Sequence, residues 1–134
     1  MSGNERAASR TAVLVCQGRA VADGRSAVGR FADPVAVRLL RAEERTRVDE
    51  VRAGTPPQGW QARTAYESVR ACAEVVGPRT VAIDEALRAR PTGQLVILGA
   101  GLDTRAWRLP ELAGTHVGVL DDPASQRDKR PRLG

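Results

Sequence analysis

Histidine, lysine and aromatic side chains are scarce in this 134-residue chain: there is one histidine, His116, one lysine, Lys129, and only 3% aromatics. A lone histidine at the start of a predicted strand excludes a histidine-based triad or a multi-histidine metal centre built within the chain, and a strand-edge position is its plain reading. No GxxxxGK[ST] stretch occurs, which removes a P-loop. The two cysteines, Cys16 and Cys72, lie in apolar helical patterns without CxxC spacing. They are expected as buried, reduced thiols of a cytosolic protein. No apolar run is long enough to span a bilayer, and MSGNERAASR lacks the apolar core of a signal peptide. A soluble, cytoplasmic chain without a membrane partner is therefore expected.

What the chain has in quantity is arginine. Lys+Arg total 21 against 16 Asp+Glu, a formal net charge of +5, but the basic residues are spread along the chain and most have acids nearby. Glu43, Glu44, Asp49 and Glu50 stand among Arg41, Arg45, Arg47 and Arg52 at spacings that suit i,i+4 pairs on a solvated helix. A nucleic-acid footprint would gather the charge on one face and add stacking aromatics, so no nucleic-acid partner is expected. The one basic cluster, RDKRPR at 127–132, reads as a solvated helix start or frayed end.

The length allows one domain, able to bury a core if its elements close on each other. Residues 1–8 are expected to be disordered and 9–134 to form one unit, helical over 9–91 and with a sheet starting over 92–134. SRTAVLVCQGRAVA is a helix capped by Ser9 or Thr11, and ADGRSAVGR a flexible connector. Asp33 followed by Pro34 predicts a second helix that runs through PVAVRLL into RAEERTRVDEVRA, ended by GTPPQG. Ala62, Tyr66, Val69, Ala73 and Val76 draw one stripe along a third helix, which Gly77 and Pro78 should break. PRTVAIDEALRAR then makes a fourth, with Arg79 in its first turn. Leu95 to Leu98 read as a strand buried on both faces, TRAWRLPELAG as a helix or irregular segment, and THVGVL at 115–120 as a second strand leading into DDPASQRDKR.

The chemistry left open by elimination sits in strand, Gly99-Ala100-Gly101, Asp103, strand, Asp121. Glycines at the end of a strand let the backbone turn sharply and bring its N–H groups close to a ligand. A carboxylate at the end of the next strand, here Asp121, can accept from both hydroxyls of a ribose. The third glycine of a dinucleotide fingerprint is replaced by Thr104, so the turn suits an adenosine ligand without a diphosphate. Taken alone, GAG is also compatible with an ordinary strand-to-helix turn, and Asp103 with either loop orientation or simple turn stabilisation.

LVILGAGLDTRAWRL, with PRTVAID upstream and VLDDPASQRDKR downstream, resembles the leucine carboxyl methyltransferase-like group of class I S-adenosylmethionine-dependent methyltransferases, which includes bacterial polyketide O-methyltransferases. SRTAVLVCQGRA and RFADPVAVRLL extend the resemblance over almost the whole chain from Ser9. It implies an α/β fold: a helical N-terminal region followed by the first βαβ portion of a Rossmann-like methyltransferase sheet. It implies S-adenosyl-L-methionine as cofactor and a small-molecule or peptide carboxylate or hydroxyl as acceptor. Gly99 with the adjoining backbone of Ala100 and Gly101 would hold the methionine part, Asp121 the ribose hydroxyls and Arg79 the cofactor carboxylate. Arg10 resembles an N-terminal basic residue that also reaches the cofactor. The resemblance assigns no catalytic residue and no metal.

Two departures stand out. Val119 replaces the family's usual glutamate and Asp122 its histidine, while Asp121 and Pro123 match. Members of the family are also longer and have more strands, so a truncated form is expected, inactive by itself and self-associating through an exposed sheet edge. Two other classes stay open: a nicotinamide-dependent oxidoreductase fragment, disfavoured by Thr104, and a non-catalytic interaction remnant whose sheet edge pairs with a partner.

Overall fold

The first helix begins where the sequence supplies a cap. In the computed structural model, which describes residues 9–134, α1 (Arg10–Ala22) opens at Ser9, whose hydroxyl accepts from Ala12 N at 3.1 Å. That satisfies one of the orphan donors of a helix start. The disordered segment expected at 1–8 lies outside the described residues. From Cys16 to Ala22 the helix is buried, chiefly against α3 (Trp60–Ala89). Gly18 is where the two helices touch: a Cβ there would stand 2.8 Å from Cys72 Sγ. The core beside this contact is centred on Cys16, Leu39, Val48, Val69 and Leu102, none more than 2% exposed. Burial pushes the Cys16 thiol up to about 11, and its Sγ donates to Ala36 O at 3.3 Å.

The expected helix from Asp33 to Ala53 is two pieces. A 3₁₀ turn, Ala36–Leu39, is followed by extended backbone at Leu40 and Arg41, and only then by α2 (Ala42–Ala53). Leu39 and Leu40, on either side of this change of backbone, are both buried. Arg41 N donates to Glu44 Oε2 at 2.8 Å, which restarts the helix in the manner of a capping box.

The expected break at Gly77 and Pro78 does not occur. α3 runs for 30 residues with Pro78 inside it. A proline in a helix interior costs about 3 kcal/mol, but Val69, Ala73 and Val76 before it and Thr80, Val81 and Asp84 after it are all buried. Packing on both sides therefore holds the helix straight through. Gly77 makes room for the preceding loop, since a Cβ there would meet Ser26 Oγ at 2.5 Å. As a result Arg79 lies in mid-helix, not in a first turn.

The sheet is a parallel pair. β1 (Gln94–Leu98) and β2 (His116–Leu120) run in register from Gln94↔His116 to Leu98↔Leu120, joined through α4 (Arg105–Arg108) and a 3₁₀ turn at Pro110–Leu112. Leu95, Ile97, Val117 and Val119 are partly covered, while Val96, Leu98 and Leu120 are 57%, 74% and 59% exposed. Burial of the strand on both faces, expected from its apolar run, is thus not supplied by the described residues.

The basic cluster at 127–132 is neither solvated throughout nor frayed. It lies in α5 (Pro123–Arg132), which Asp122 caps. Lys129 is 7% exposed. Arg132 donates to Leu39 O at 2.9 Å, to Glu44 Oε2 at 2.6 Å and to Asp128 Oδ2 at 2.9 Å, and Asp128 also pairs with Arg41. Burial works to raise the Glu44 carboxyl, but hydrogen bonds from Arg132 and Arg41 outweigh it and hold the group below its ordinary value. Local pairing within α2 is represented by Arg47 and Glu50 at 2.6 Å. Among the described residues no helix is long and apolar enough to cross a membrane, and no cluster of histidine, cysteine and acidic residues could hold a metal ion.

Candidate functional site

A cleft of about 470 Å³ opens at the carboxyl ends of the two strands. Its floor is the segment from Ile97 to Asp103. One wall comes from the start of α1 through Ser9, Thr11 and Ala12, another from α3 through Arg79, Thr80 and Ile83, and Asp121, Asp122 and Ser125 close the end. A parallel pair delivers both chain exits to one edge, and the start of α1 and the middle of α3 wall the space beside those exits.

The two glycines of the turn have different duties. Gly99 has φ +57° and Gly101 φ +50°, backbone that favours glycine. A Cβ on Gly101 would stand 2.9 Å from Ala12 Cβ, whereas nothing lies within 4 Å of one on Gly99. Gly101 therefore lets α1 pack onto the turn, and Gly99 leaves bare backbone facing open space. Gly101→Ala is expected to lose about 2–5 kcal/mol of stability, adding a left-handed backbone penalty to overpacking. Gly99→Ala should lose only the backbone part, about 1–2 kcal/mol. Urea unfolding of the two variants checks this; equal losses would show that contact with Ala12 is not what Gly101 provides.

Asp121 is tied into the turn. Its Oδ2 accepts from Gly101 N at 2.7 Å and its Oδ1 from Asp122 N at 2.8 Å. A carboxylate offers about four lone-pair sites, so capacity remains for a ligand. Gly99 N donates to Leu120 O at 2.7 Å, which extends the strand ladder into the loop. Of the residues singled out in the sequence, Arg79, Gly99, Ala100, Gly101, Asp103 and Asp121 all line the cleft. Arg10 does not: it is exposed in the first turn of α1, between cleft-lining Ser9 and Thr11. Asp103 Oδ1 accepts from Arg105 N at 2.8 Å and its carboxylate pairs with the Arg105 guanidinium. That is the turn-stabilising role.

A buried ion network beneath the cleft was not visible in the sequence. Asp33 Oδ2 accepts from Arg19 Nε at 3.0 Å and from Thr104 Oγ1 at 2.7 Å. Arg108 donates to Thr104 Oγ1 at 3.3 Å and pairs with Asp84 Oδ2 at 2.7 Å, and Arg105 Nε donates to Asp84 Oδ1 at 2.9 Å. Among the described residues no buried side-chain nitrogen or oxygen lacks a partner. Thr104, at the place of the missing third glycine, is 1% exposed and joins the network by its hydroxyl. The only signal in the sequence was the crowding of charge in LDTRAWR.

A helical N-terminal region followed by a small parallel sheet, with a glycine turn and a cleft at the strand ends, fits an α/β protein of methyltransferase-like fold. Residues 12–134 match the leucine carboxyl methyltransferase family, and the chain belongs to it. Among its relatives, a Mycobacterium sp. (strain JLS) protein named "Putative S-adenosyl-L-methionine-dependent methyltransferase" is 36% identical over 117 residues, 85% of this chain and 38% of that protein. A relative of the same name from Mycobacterium bovis (strain BCG / Pasteur 1173P2) is 34% identical over 116 residues, 84% of this chain and 38% of its own length. One from Mycobacterium ulcerans (strain Agy99) is 71% identical over 31 residues, 23% of this chain and 10% of that protein. The chain thus spans 38% of the length of the first two.

Proposed function

We propose that this chain carries the cofactor site of an S-adenosyl-L-methionine-dependent O-methyltransferase acting on a carboxylate or hydroxyl. The observation behind this is the convergence in one cleft of Arg79, bare backbone at Gly99 and the spare lone pairs of Asp121. A zwitterionic nucleoside ligand fits that donor set: Asp121 accepts from ribose hydroxyls, the Gly99–Gly101 backbone approaches the methionine part, and the Arg79 fork takes its carboxylate bidentately. Arg10, exposed in the first turn of α1 outside the cleft lining, would have to reach in from there to add a second basic contact. When bound, the cofactor supplies an electrophilic methyl group on sulfur. The chain's own contribution is binding and orientation, which can supply a large share of a transfer barrier without a metal.

In this reading residues 9–134 are the N-terminal part of a single Rossmann-like methyltransferase domain, helical over 9–91 and with its sheet begun over 92–134. Two free cysteines agree with a cytoplasmic setting. Membership of the family favours this function over a nicotinamide oxidoreductase, as does buried Thr104 in place of the glycine that a pyrophosphate needs. Calorimetric titration is expected to show S-adenosylhomocysteine binding more tightly than NAD. Tighter NAD would sink the assignment.

The exposed apolar residues Val96, Leu98 and Leu120 and the outer edges of β1 and β2 support self-association of this chain. By itself it is expected to elute as oligomers and to release no S-adenosylhomocysteine in a transfer assay with carboxylic-acid or phenol acceptors. A monodisperse, active monomer would contradict both points.

A further inference from the structure

Three consecutive residues of the glycine turn each have a main-chain group held by a charged side chain from a different element. Gly101 N donates to Asp121 Oδ2 at the end of β2. Leu102 O accepts from Arg19 Nη2 of α1. Asp103 O accepts from Lys129 Nζ of α5 at 2.9 Å. Arg19 and Lys129 are 8% and 7% exposed, and such side chains are rarely buried to that degree. Arg19 reaches the turn with one arm of its fork while Nε stays on Asp33 at 3.0 Å. Lys129 lies over the Trp107 ring, 4.9 Å from its centroid.

Buried charges add little net stability, because desolvation cancels most of the attraction. What they do supply is geometry. A turn with two glycines at positive φ has many accessible shapes, and a ligand met by backbone loses affinity if binding must first order that backbone. We propose that Arg19 and Lys129 are positioning residues that hold the Gly99–Asp103 turn in its ligand-receiving shape before any ligand arrives. The functional part of this rests on the cleft being the cofactor site; the ordering of the turn does not.

Amide hydrogen exchange in the ligand-free 134-residue chain tests the ordering directly. Arg19→Lys keeps a cation for Asp33 but loses the fork that also spans to Leu102 O, and Lys129→Met keeps the apolar stem without the ammonium. Each is expected to speed exchange at the Gly101 and Asp103 amides, which donate to Asp121 Oδ2 and Ala100 O, about ten- to a hundredfold, with α3 exchange and far-UV circular dichroism unchanged. Lys129→Arg should restore most of the protection, and Arg88→Gln, at an exposed pair with Glu111, should leave the turn as it is. Unchanged exchange in both variants would overturn the proposal, and so would global unfolding of both, which would make the two residues supports of the fold. In parallel titrations with S-adenosylhomocysteine both variants should bind more weakly than the parent chain; equal affinity with a loosened turn would also overturn it. A parent chain that binds no S-adenosylhomocysteine would overturn the cofactor reading alone, with the exchange data still deciding whether the turn is clamped.

Discussion

Asp33→Ala is expected to destabilise the folded chain by about 3–5 kcal/mol, the cost of removing one partner from a buried ion pair. Asp33 is 1% exposed and accepts from Arg19 Nε at 3.0 Å, Thr104 Oγ1 at 2.7 Å and Ala36 N at 3.0 Å. Alanine leaves a buried guanidinium, a buried hydroxyl and a backbone donor without that acceptor at once. Domains of ordinary size are stable by only about 5–15 kcal/mol, so much of the folded population should be lost. Urea unfolding followed by circular dichroism measures it, with Arg30→Ala as the comparison. The Arg30 pair with Glu85 is 64% and 50% exposed, and such pairs contribute about 0–1 kcal/mol. A midpoint for Asp33→Ala as high as that of Arg30→Ala would show that the network does not join α1 to the segment after β1.

On the role proposed for Arg79, Arg79→Ala is expected to weaken S-adenosylhomocysteine binding by about 1.5–3 kcal/mol, roughly ten- to a hundredfold, the loss of one charge-assisted bond to a ligand carboxylate. The same change should alter stability by no more than about 0.5 kcal/mol, since Arg79 is an exposed residue of α3 on the cleft wall. Arg79→Lys should recover part of the affinity, a point charge replacing a planar fork. Titration calorimetry on the three proteins separates the outcomes. Unchanged affinity in the alanine variant would leave Arg79 as a surface residue of a long helix.

Local signals were legible wherever a few neighbouring residues decide the structure. Ser9 caps α1 because its hydroxyl reaches a donor three residues on. The segments read as strands at 95–98 and 115–120 became strands over 94–98 and 116–120, and the glycines between Leu98 and Leu102 turned the chain as expected. Local rules misled where packing outweighed them. Pro78 should end a helix on its own chemistry, yet α3 continues because buried residues on either side of it are held against α1 and the loop at Ser26. Asp33 does accept from Ala36 N as a cap would, but the helix it was expected to start gives way where Leu39 and Leu40 both turn inward.

By itself the sequence determined the α/β character, the position of the glycine turn and the acid at the end of β2, carried by short runs of residues, and its resemblance in several segments pointed to the family that the match over residues 12–134 shows. Only the tertiary structure decided what surrounds that turn. Thr104 and Asp33 are 71 residues apart in the chain and Arg19 and Leu102 are 83 apart, and no periodicity or motif encodes such pairings. They form because a charge taken out of water must find a partner wherever the fold brings one. The same rule drew Arg132 from a basic tail onto Glu44, 88 residues away.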